Sequence, residues 1–139
     1  MAQRDYLLRM IEQIGQILIA LRKLIIGGVD RQTADAGLQK AGQQVGVDLT
    51  LARAATAETL QMLIAPEGDL EPGRCWIVAE MMYLDGLQSE ADGDPEAAAD
   101  RFEKALLLYQ AIAPMGAFLV GFPEASERVE DIRGRLESS

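Results

Sequence analysis

Histidine is absent from this chain of 139 residues, and cysteine occurs once, as Cys75. The first absence removes the usual general base, the commonest zinc ligand and every serine–histidine or cysteine–histidine pair, which leaves acid–base work to carboxylates or lysines. The second excludes an internal disulfide. Aromatic residues are scarce, and β-branched residues never alternate with polar ones over a strand length, whereas Ala, Leu, Glu, Gln and Met abound. An all-α fold follows. Positive charge is also short: 13 Lys and Arg face 22 Asp and Glu, a formal net charge of −9 with a pI near 4.4. A phosphate backbone needs a basic face to release its counterions, so this balance argues against DNA and RNA as partners.

Long uninterrupted apolar runs are missing too. Glu12, Arg22 and Lys23 break every window of about 20 residues near the start, so that segment is not a transmembrane span. No basic, apolar and small-residue series in signal-peptide order opens the chain, and the expected compartment is a reducing cytoplasm. The length suits a single helical domain with a real core.

What is present is helical periodicity. Over residues 1–26, Tyr6, Leu7, Met10, Ile11, Ile14, Ile17, Leu18, Leu21 and Ile25 share one face, and Gly27-Gly28 ends the helix within a 1–28 unit. A helix of about 23 residues is roughly 35 Å long, against about 20 to 25 Å for the helices expected after it. Part of the stripe overhangs, which makes Ile11, Ile14, Leu18, Leu21 and Ile25 candidates for self-association in a homodimer. Arg4, Arg9, Arg22 and Lys23 stand there against Asp5 and Glu12, the only basic amphipathic element of the chain. A peripheral membrane-surface adaptor is the alternative this raises; the acidic body and the lack of Trp or Phe on the stripe weigh against it.

A helical hairpin is expected over 30–66, from helices at 33–45 and 48–64, with Asp48 as N-cap, Gly46 as stop and a break at 66–69. Pro72 starts the next helix, which carries Trp76. Pro123 starts a last, capping helix over 123–137 with Val129, Ile132 and Leu136 inward. Between them, 115–122 is oddly apolar for a connection; it is either a plug packed on the preceding hairpin or the lining of a cleft.

The stretch 79–109 reads as two amphipathic helices joined by Gly93-Asp94-Pro95: a residue able to turn left-handed, an N-cap and a first-turn proline. Within a repeat-like hairpin at 72–112, this stretch resembles a tetratricopeptide repeat. Gly86 falls on the small position of the first helix, Ala98 and Ala105 on those of the second, and Phe102 on its aromatic position. Asp85 stands where a Leu is usual, Ser89 where a Tyr is usual, and the closing Pro comes late, as Pro114. The opening Arg4-Asp5-Tyr6-Leu7, Arg9 and Ile11-Glu12 also resembles the N-terminal signature of a small bacterial helical family of unknown function, and that resemblance supplies no activity.

Few residues offer chemistry. Cys75 lies near a helix start, where a thiolate gains from the dipole, yet no histidine exists to act as its base; a structural cysteine is the plainer reading. Asp92, Asp94 and Glu96 alternate like calcium-loop ligands, but Pro95 intervenes, and a capped turn explains them. Glu80, Asp85, Glu90, Asp100 and Glu103 include possible acid–base pairs, or else a solvated acidic face. The expectation is therefore about six antiparallel helices forming a non-enzymatic protein–protein interaction or scaffolding protein without cofactor or metal. A carboxylate-based or metal-assisted enzyme is the third reading. If the hairpin is repeat-like, Glu80, Tyr83, Leu84, Leu87 and Glu90 line an inner groove suited to a basic-apolar peptide; alternatively, Tyr83, Leu84 and Leu87 pack against the helix ending at Ile64.

Overall fold

The computed structural model describes residues 2–65, 71–115 and 123–138, and the side chains of 8–65, 71–114 and 123–138. The chain is all-α: α1 (Ala2–Gly27), α2 (Arg31–Val45), α3 (Leu49–Ala54), α4 (Ala57–Ile64), α5 (Pro72–Ala91), α6 (Pro95–Ile112) and α7 (Ala125–Ser138), with a 3-10 turn at Ala113–Met115. The break at 66–69 and the apolar stretch 116–122 lie outside the described residues.

Local chemistry sets the helix ends. Asp30, Asp48, Thr56 and Asp94 each accept a bond from the backbone N–H three residues on, at 2.8, 3.0, 3.1 and 3.2 Å. Gly46 and Gly93 turn left-handed at φ +77° and +78°, where a side chain would be strained. The Thr56 cap explains why 48–64 is two helices rather than one. Ala55 is extended at ψ 151°, which frees the carbonyls of Ala52 and Arg53 from intrahelical bonding. Lys104 Nζ reaches those carbonyls at 3.4 and 2.6 Å, a cation placed on a helix C-terminus.

α5 is the axis of the molecule. Every residue from Cys75 to Ser89 is buried, and α1, α2, α4 and α6 all pack against this helix. A helix covered on all sides carries apolar residues all round, and Cys75-Trp76-Ile77-Val78-Ala79 with Met81-Met82-Tyr83-Leu84 supply them. Close approach depends on small residues. A Cβ added at Gly86 would lie 2.6 Å from the Phe102 ring, and one at Gly42 would lie 2.8 Å from Met81 Cε and 2.3 Å from the Val47 carbonyl oxygen.

The α1 stripe is corrected by this arrangement. Ile11, Ile14, Leu18, Leu21 and Ile25 are buried within the protomer, where α1 packs against α2 and α5, so they offer no free dimer face. The expected overhang assumed short partners, but α5 has 20 residues and spans about 30 Å. The same burial takes these five side chains out of reach of a bilayer, while Leu24 and Ile26 of α1 stay exposed. No described helix is long and apolar enough to cross a membrane.

Two outcomes test this packing. Gly86→Ala gains about 1 kcal/mol of helix propensity but overpacks a buried ring at a cost of about 1–3 kcal/mol, so its urea midpoint should fall, and adding Phe102→Leu should restore part of the loss. A midpoint above wild type would contradict the tight contact. Leu18→Ala should cost about 2–5 kcal/mol while sedimentation of the folded protein stays unchanged; a shift in oligomeric state would return the stripe to an interface.

Candidate functional site

Asp85 sits on α5 with its side chain 1% exposed, and a carboxylate so placed requires cationic partners. Three arginines supply them. Arg53 of α3 grips it with two bonds, Nε at 2.8 Å and Nη2 at 3.0 Å. Arg31 of α2 donates from Nη1 at 2.5 Å, and Arg101 of α6 donates from Nε at 2.9 Å. An outer shell of acids balances the excess positive charge. Asp35 accepts from Arg53 at 2.7 Å and from Arg31 at 3.3 Å, Asp92 accepts from Arg31 at 2.9 Å, and Asp100 takes Arg101 and Lys104. Arg31 Nη2 also donates to Ser89 Oγ at 2.9 Å. Asp85 and Ser89, the α5 positions where the hairpin departs from the tetratricopeptide pattern, are thus both partners of Arg31.

Burial alone would raise the Asp85 carboxyl, but the hydrogen bonds from Arg53 and Arg31 and the charge of Arg53 outweigh it and hold the group below its ordinary 3.8. Arg53 is raised in turn by its bond to Asp85, against the effect of its own burial. The group is ionised at neutral pH and is acceptor-only, with both oxygens engaged.

A second cluster surrounds Glu80, also 1% exposed. Tyr109 OH donates to its Oε1, and Arg128 Nε of α7 donates to the same oxygen at 2.7 Å. Arg128 lies 4.6 Å over the Tyr83 ring, in cation–π geometry. Tyr83 OH donates to Asp131 at 2.7 Å, Arg135 Nε donates to Asp131 at 2.9 Å, and Arg135 Nη1 donates to Glu90 at 2.7 Å. Burial pushes the Tyr109 phenol well above its ordinary value, and the Glu80 charge adds to the effect. For Arg128, burial works against the charge, while the Glu80 charge and hydrogen bond hold it above the ordinary range.

These contacts decide the expected groove. Glu80, Tyr83, Leu84 and Leu87 are buried, and only Glu90 is exposed. Glu80 meets Arg128, Tyr83 meets Asp131 and Glu90 meets Arg135, so α7 runs parallel to α5 along this face and closes it. The basic-apolar helix that such a groove suits is the chain's own, with Val129 and Ile132 in the core. Among the described residues, a shallow depression lies at the rim, lined by Glu90, Glu130, Asp131, Gly134, Arg135 and Ser138.

Cys75, Asp92 and Asp94 have structural partners, and Glu96 and Glu103 are exposed to solvent. Cys75 is buried, with its thiol bonded to the Leu108 carbonyl at 3.4 Å; burial first, then the Glu71 charge, pushes it up to about 12, the opposite of an activated thiolate. Asp94 caps α6, and Asp92 binds Arg31 and Gln88. Among the described residues no group of acids or cysteine is placed to hold a metal ion. Sequence reasoning missed Arg31, Arg53, Arg101 and Arg128. The signal was there: Glu80 and Asp85 interrupt apolar runs in Val78-Ala79-Glu80-Met81-Met82 and Tyr83-Leu84-Asp85-Gly86-Leu87, and an acid so enclosed demands a cation from elsewhere in the chain.

The Asp85 cluster has a pH signature. Its folded-state value lies below the unfolded one, so its stabilisation is fully present above about pH 4 and is lost as pH falls through the folded value. Asp85→Asn should cost about 3–5 kcal/mol at pH 7 and flatten the acid limb of the stability profile. An unchanged urea midpoint at neutral pH would show that the three arginines do not depend on this carboxylate. No family model, curated protein or solved structure matches this chain, and the functional reading rests on the geometry above.

Proposed function

We propose that the protein is a non-enzymatic interaction or scaffolding protein, a small helical body that holds a partner on its outer surface. The observation that carries this reading is the fate of the two buried carboxylates. In a chain without histidine, Glu80 and Asp85 are, among the described residues, the enclosed acids available for acid–base work, and both are paired with arginines. A general base needs a free lone pair facing a substrate, and both Asp85 oxygens already accept bonds. The α5–α6 hairpin is read as tetratricopeptide-like, with Gly86 against Phe102 where its helices touch and α7 in the place of a capping helix.

The test is capture on the full chain. Immobilised protein in an extract of its source cells should retain a protein that, once purified, binds back saturably. Consumption of a small molecule from the same extract, abolished by Glu80→Gln, would overturn the reading in favour of an enzyme.

A further inference from the structure

We propose that α3, α4 and the outer side of α6 form a docking face for a basic amphipathic helix of a partner protein; this rests on the interaction reading above and adds the surface and the partner's chemistry. Four large apolar side chains stand exposed on these three helices: Leu51 at 50%, Met62 at 70%, Leu63 at 39% and Leu107 at 41%. Two contacts join these helices. α4 packs against α6, and Lys104 of α6 ties down the carbonyls of Ala52 and Arg53 at the end of α3. Leu51 adjoins that junction, and Leu107 lies one turn beyond Lys104 on α6.

The charges on this face have one sign. Glu58 precedes Met62 by one turn, Glu103 precedes Leu107 by one turn, and all four are exposed. The nearby cations are already engaged: Arg53 and Arg101 with Asp85, and Lys104 with Asp100 and the α3 carbonyls. They do not neutralise the two glutamates, which form no ion pair among the described residues. An apolar anchor with an uncompensated acid one turn away is complementary to a helix that carries Leu or Ile with Lys or Arg one turn away. Two-fold pairing of this face with a second copy would instead bring acids toward acids.

The probe is a synthetic amphipathic peptide of about 18 residues with a leucine stripe flanked by lysines, beside a scrambled peptide of identical composition. With the full chain, fluorescence anisotropy should show saturable binding of the first only, with amide shift changes centred on 51, 58, 62, 63, 103 and 107. Met62→Lys with Leu107→Lys, and separately Glu58→Lys with Glu103→Lys, should each weaken binding at least about tenfold while the melting temperature stays near wild type. No binding, equal binding of the scrambled peptide, or shifts centred on Leu24 and Ile26 of α1 would overturn the assignment. So would a dimer in sedimentation that Met62→Lys with Leu107→Lys abolishes, since the occupant would then be a second copy. A natural partner captured equally by wild type and this variant would overturn the surface alone, whereas failure of wild type to capture any protein would overturn the interaction reading itself.

Discussion

A carboxylate buried in the middle of α5 is the constraint around which the fold is arranged. An isolated ionised Asp85 in an apolar interior would be far costlier than the whole domain is stable, so the chain folds only where cations reach it. They come from α2, α3 and α6, three elements separated in sequence, and each must lie beside the same turn of α5 for its guanidinium to arrive. Glu80 repeats the demand five residues earlier. Five residues rotate a helix by about 140°, so Glu80 points to a different side and draws Arg128 from α7 and Tyr109 from α6. Two acids at two azimuths fix both the rotation and the height of the central helix. Their contribution is to register more than to net stability, because a buried ion pair returns little beyond its own desolvation while a broken one is strongly destabilising.

That arrangement also shapes the exterior. Arginine side chains drawn inward are unavailable to the surface, and the outer aspartates that balance them are held in the same cluster. The glutamates on α4 and α6 keep their charge to solvent. The acidity of the whole chain is thus unevenly expressed: locally neutral where the helices meet and negative on the faces turned away from the axis.

The parts of the fold that were legible are those written in local chemistry. Gly93-Asp94-Pro95 specifies a helix stop, a cap and a restart within three residues, and the turn between α5 and α6 needs nothing from the rest of the chain. The α1 stripe was legible as a stripe but not as to what covers it, because periodicity reports that a face is buried and is silent on whether the cover comes from the same chain. The groove failed for a related reason. Reading α5 as a two-sided amphipathic helix assigned Tyr83 and Leu87 to an open side, when its apolar residues occupy the full circumference and the third side belongs to α7, more than forty residues later. The break at Thr56 was hidden because a continuous helix would have kept Leu49, Ala52, Leu60 and Ile64 on one face; only the Lys104 contact, distant in sequence, shows what the break is for.

The relation between α7 and α5 bears on where a partner can bind. In a repeat-like hairpin, the concave side of the first helix is the natural place for a ligand, and its residues here are suited to a basic-apolar segment. The chain supplies that segment itself, as Arg128, Val129, Ile132 and Arg135 on one face of α7. Removing α7 would leave Glu80 with Tyr109 alone and expose the Tyr83 ring, so the inner face is closed by the same electrostatic demand that orders the core. Under the proposed interaction role, the surface left for a partner is the outside of the molecule. Among the described residues, four of the seven exposed large apolar side chains stand where α3 and α4, shortened by the Thr56 cap, lie against α6.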